Sequence, residues 1–172
     1  MGFDYSYIAV IKKQDEAKLT SYIDTHLSVT ETSFGTSGTI TCKVDDAVRI
    51  YLSESNESAE MDHDNGSLTN DLTQEAAEIG YVYIDIKKNN GTDLIFAGFA
   101  AATTNMSILF SDSSAIKDWF IALGLHVNAV ATFLDTEDGD YRFIYPTTAG
   151  TSDWQENELY RTIIHAYQNP LH

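Results

Sequence analysis

Cysteine is nearly absent, with Cys42 standing alone among 172 residues. A single thiol excludes an internal disulfide and any zinc site built on paired thiolates, and it fits a reducing, cytoplasmic setting. Basic residues are also few, ten Lys and Arg against 26 Asp and Glu, for a net charge of −16. That sign is wrong for a protein whose affinity would come from neutralising phosphates, so nucleic acid is not an expected partner. Long apolar runs are missing as well. Asp85, Asp93, Asp112 and Asp135 interrupt every stretch before it reaches the roughly 18 to 20 residues of a membrane-spanning helix, so no membrane partner is expected. No basic region followed by an apolar one opens the chain, which predicts no secretory signal. Glycine-rich phosphate loops and the Gly-x-Ser-x-Gly elbow are absent, and no cofactor is implied.

What is present suffices for a core: 43% of the residues are hydrophobic, 12% are aromatic, and only two prolines interrupt. Asp4 to Ile11 alternates and carries the aromatic and β-branched residues that strands prefer. Leu19, Tyr22, Ile23 and Leu27 follow at helical spacing. After a Ser/Thr/Gly-rich stretch, Thr39 to Val44 and Ala47 to Leu52 read as a hairpin joined at Asp45-Asp46. The span 53–66 carries carboxylates with hardly any large apolar residue, predicting a mobile acidic loop within a single domain. Leu72, Ala76 and Ile79 suggest a short helix over Asn70 to Ile79. Tyr81 to Lys87 and Asp93 to Phe99 flank the turn sequence Asn89-Asn90-Gly91, an antiparallel pair. Ser113 caps a helix bearing Ile116, Trp119, Phe120 and Leu123, which Gly124 should end. A second hairpin turns at Asp138-Gly139, and Ser152 with Gln155 reads as the capping box of a final helix. Hairpins outnumber crossovers, so the expected class is α+β: a largely antiparallel sheet with three to four helices mainly on one face.

The opening Met1-Gly2-Phe3-Asp4-Tyr5-Ser6-Tyr7 resembles that of a family of small, uncharacterised bacterial proteins. The run from Phe99 to Phe110, then Trp119-Phe120 and Leu134-Asp135, is similar to a segment of the same family. The resemblance implies a small stand-alone intracellular bacterial protein and brings no catalytic residue with it.

Two functional readings follow from the residues. A negative field on a small domain steers a positive partner, so the first is a protein-binding module of immunity-protein or antitoxin type. It would engage a basic protein through Glu54, Glu57, Glu60, Asp62 and Asp64. The alternating carboxylates of Glu60 to Gly66 do not keep the calcium-loop register, because Asn65 stands where the glycine belongs, and no metal is assigned there. None of the five histidines shows zinc spacing, and Cys42 reads as a packing residue. The alternative is a small-molecule pocket lined by Tyr5, Tyr7, Thr103, Thr104 and Asn105, where small residues and hydroxyls leave room for a ligand.

Overall fold

The computed structural model describes residues 4–33, 35–60, 76–146 and 153–170, with side chains of 55–60 left aside. Seven strands form one sheet: β1 (Ser6–Lys12), β2 (Leu27–Thr32), β3 (Gly35–Lys43), β4 (Ala76–Lys88), β5 (Leu94–Ala100), β6 (Ala131–Asp135) and β7 (Tyr141–Tyr145). Their order is β2-β3-β4-β5-β1-β6-β7, and every neighbouring pair is antiparallel. The helices are α1 (Glu16–His26), α2 (Asp46–Glu60), α3 (Thr104–Asp112), α4 (Ser114–His126) and α5 (Glu158–Gln168). The class is therefore the expected α+β, with five helices described in place of three to four.

Alternation along the central strands divides the interior into two cores. Tyr7, Ala9 and Ile11 of β1 join Ile95, Ala97 and Phe99 of β5 beneath residues from α1, α2, α3 and α4. The intervening Ile8 and Val10, with Phe96, face the other way and meet Tyr160, Ile163 and Ile164 of α5. The central strands are thus buried on both faces. The second core takes nothing from β2, β3 or β4.

Several local expectations are corrected. Ala47 to Leu52 is the start of α2 and not the second arm of a hairpin. Asp45 accepts the Val48 N–H at 2.8 Å, so the Asp-Asp pair is a helix start, and Val48, Tyr51 and Leu52 share its inner side. Residues 53–60, read as loop, continue that helix. The rest of that reading, 61–66, lies outside the described residues. Ser28 to Thr32 is strand, and Ala76 to Ile79 belongs to β4, where Ala77 and Ile79 alternate inward opposite Cys42 and Ile40. Residues 70–75 of the expected helix lie outside the described residues. Helix α3 begins within the run of small residues expected to leave room for a ligand, because the Thr103 side chain accepts the Met106 N–H at 3.2 Å. Ser152 lies outside the described residues, and the final helix is capped by Asn157, which accepts from the Tyr160 N–H at 3.1 Å.

Ser113 caps α4 as expected, accepting from the Ile116 N–H at 3.1 Å. Gly124 does not end the helix, which continues to His126. Its lack of a side chain serves a close approach: a Cβ there would lie 2.8 Å from Thr132 Oγ1 and 3.1 Å from the Tyr145 ring. Gly124→Ala should therefore lower stability by about 1–2 kcal/mol, overpacking outweighing the roughly 1 kcal/mol that alanine gains in helix propensity. Chemical denaturation checks this, and in a Thr132→Ala background the penalty should shrink. An undiminished penalty there would mean the clash is not the cause.

Candidate functional site

Exposure on the open half of the sheet concentrates where β4 breaks its own alternation. Gly38 pairs with Val82 and Ile40 with Ile79, so Gly80 and Tyr81 together oppose Thr39. This β-bulge shifts the phase of the strand and keeps Ile79 and Val82 both buried. Tyr81 sits in the bulge at φ 64°, a left-handed conformation costly for an aromatic residue, with 73% of its surface exposed. Tyr83, 39% exposed, is cross-strand to Ser37 and Ala100. It points to the side opposite Val82 and Ile84, away from α1 to α4 and onto the face that α5 covers farther along the sheet.

Carboxylates bracket the two phenols. Glu78 precedes them and Asp85 follows on the same side of β4, both exposed. Asp85 pairs with the exposed Lys87 at 3.2 Å, a contact that water weakens. Hydroxyls widen the surface: Thr41 of β3 is exposed on this side, as are Ser28, Thr30 and Thr32 of the edge strand β2. Phenol rings flanked by carboxylates form a setting for an ammonium or guanidinium group, which gains from the ring face and from the charge.

The sequence-named acidic residues fall elsewhere. Glu54 is exposed on α2, Glu57 and Glu60 follow at three-residue intervals along the same helix, and Asp62 and Asp64 lie outside the described residues. The pocket-lining set is used structurally. Tyr7 is buried, its hydroxyl donating to the Phe110 carbonyl at 2.9 Å, and burial pushes its phenol pKa well above the ordinary value. The Tyr5 N–H donates to Ser107 Oγ at 3.1 Å, and its side chain packs at the edge of the main core. Thr103 is the α3 cap, while Thr104 and Asn105 are exposed in the first turn.

No family model, curated protein or solved structure matches this chain. Three clefts among the described residues, of about 360, 400 and 410 Å³, include none of Tyr5, Tyr7, Thr103, Thr104 or Asn105 in their walls. Cys42 is buried, and burial, with Asp45 nearby, pushes its thiol up to about 11, so it is a packing residue as its sequence setting suggests. No helix among the described residues is long and apolar enough to cross a membrane.

The Tyr81 surface was not singled out from sequence, although a signal exists. Ala77 and Ile79, then Val82 and Ile84, alternate in two different phases, and Gly80-Tyr81 is the join. A phase break at a glycine inside a strand marks a bulge.

Proposed function

We propose that the protein is an acidic binding module of immunity-protein or antitoxin type that engages a basic protein through the open side of β4. The observation that carries this reading is Tyr81, a largely exposed aromatic residue held at positive φ on a bulge and bracketed by Glu78 and Asp85. Strain at a surface aromatic needs a reason, and tyrosine is among the residue types that dominate interface energetics. The net charge of −16 supplies a field that draws a positive partner. Glu54, Glu57 and Glu60 of α2 contribute to that field at a distance. The cytoplasm is the proposed setting, supported by a lone, buried thiol.

Anchor and field have separable kinetic signatures. Proteins retained on the immobilised chain at low salt and released at high salt are identified, and the most basic is purified for kinetics. Tyr81→Ser with Tyr83→Ser should then weaken binding by about 2 kcal/mol or more, roughly thirtyfold, almost all of it in the dissociation rate. Reversing Glu54, Glu57 and Glu60 to Lys should instead slow association at low salt and leave dissociation nearly unchanged. Unaltered dissociation from the tyrosine variant would overturn the assignment of this face.

A further inference from the structure

His26 closes α1 and His126 closes α4, and the fold sets their rings 6.5 Å apart at the surface. Sequence spacing hides the pair, since the two residues lie on helices distant in the chain. They border a cleft of about 410 Å³ together with Lys18, Ser21, Tyr22 and Thr25. Tyr22 organises both rings: it stacks on His26 at 4.0 Å with the planes 16° apart, and its ring lies 5.6 Å from that of His126.

The hydrogen bonds decide which ring nitrogen is available. His26 Nδ1 lies 3.1 Å from the Tyr22 carbonyl oxygen, and His126 Nδ1 lies 2.7 Å from that of Ala122. A carbonyl only accepts, so each Nδ1 carries the proton and donates. In the neutral ring the lone pair therefore belongs to Nε2, on both histidines independently. An imidazole whose other nitrogen donates to a backbone carbonyl is oriented as metal-ligating histidines are.

We propose that His26 and His126 bind one divalent transition-metal ion, copper(II) above all, through their two Nε2 atoms. Metal–nitrogen bonds of about 2 Å place the ring centres of two imidazoles on one ion roughly 5 to 6.5 Å apart, according to the angle between them. The observed 6.5 Å is at the wide-angle end. Imidazoles across a tetragonal plane meet that condition, a geometry copper(II) prefers, and copper(II) also heads the divalent affinity series. Among the described residues no set of three His, Cys, Asp or Glu side chains gathers at one point. Water completes the coordination, so the ion is exchangeable and links α1 to α4 at their C-terminal ends.

The test is titration of the full chain with copper(II) chloride. Electron paramagnetic resonance counts the bound nitrogens, and Trp119 emission reports proximity, since Trp119 lies 5.9 Å from Tyr22. Trp154→Phe removes the other indole. Asparagine is the substitution of choice, because its amide can still donate to the carbonyl four residues back but offers no imidazole nitrogen. Expected are a two-nitrogen signal at about one equivalent and an affinity loss of at least tenfold in both His26→Asn and His126→Asn, the scale that even an outer-shell change produces. His165→Asn should change nothing. Wild-type affinity in either of the first two variants, or a one-nitrogen signal, would overturn the site, as would loss of binding with His165→Asn.

Discussion

Phe120→Ala should destabilise the protein by about 3–5 kcal/mol, enough to leave a domain of this size only marginally folded. The reason is position and not ring size alone. Phe120 has no exposed surface and sits at the meeting point of the aromatic core. It stacks on Tyr7 at 4.1 Å, with Phe99 at 5.4 Å, Trp119 at 4.9 Å and Phe110 at 6.0 Å. These partners come from β1, β5, α3 and α4, whose frameworks hold them apart, so the cavity left by truncation cannot collapse freely. Tyr7→Phe is the companion measurement. It leaves the stack and removes only the hydroxyl that donates to the Phe110 carbonyl, an expected loss of about 1 kcal/mol. Urea denaturation of both variants checks the pair. A Phe120→Ala cost below about 1.5 kcal/mol would mean that this core repacks, contrary to the close-packed cluster described.

The parts of the fold legible in the sequence are those where one physical signal acts without a competitor. Strands β1, β4 from Tyr81 onward, and β5 show strand-like patterning or flank a turn sequence, and they form as expected, although Asn89-Asn90-Gly91 makes its turn with no residue at positive φ. Helix α4 combined a serine cap with an apolar stripe and was equally plain. Misreading set in where two periods fit the same residues. Val48, Ile50 and Leu52 alternate as a strand would, yet Val48, Tyr51 and Leu52 also fit a helix, and the cap that Asp45 places on the Val48 N–H goes with the helix. The surface proposed for binding was hidden for a related reason. Counting carboxylates finds the acidic stretch of α2 but not Tyr81, whose exposure depends on a bulge that shows in the sequence only as a phase break at Gly80. His26 and His126 meet only because α1 and α4 lie side by side, a neighbourhood that no local spacing encodes.

Asp45→Ala carries the second large effect, because one side chain serves the start of two helices. Its Oδ1 accepts the Val48 N–H of α2 at 2.8 Å. Its Oδ2 accepts the Ala115 N–H of α4 at 2.9 Å and the Ser113 hydroxyl at 2.7 Å, with the Ser114 hydroxyl at 3.3 Å. Two caps at about 1 kcal/mol each, and two helix dipoles converging on one carboxylate, give an expected loss of about 2–3 kcal/mol at pH 7. Partial burial by itself would raise the carboxyl pKa, but these donors outweigh it and hold the group below the usual carboxylate range. The sign of the pH dependence follows. A carboxyl whose folded pKa is depressed contributes its full stabilisation above the unfolded value near 4, and loses it as pH falls through the lower folded value. The stability gap between wild type and Asp45→Ala should accordingly be constant from about pH 6 to 8 and narrow below about pH 4. Asp45→Asn retains one acceptor oxygen and no charge, so it should fall between the two at neutral pH and narrow less on acidification. Guanidinium melts at pH 7 and pH 3 would decide the matter, and a gap that stays constant or widens at the lower pH would show that the charge on Asp45 is not what joins the two helices.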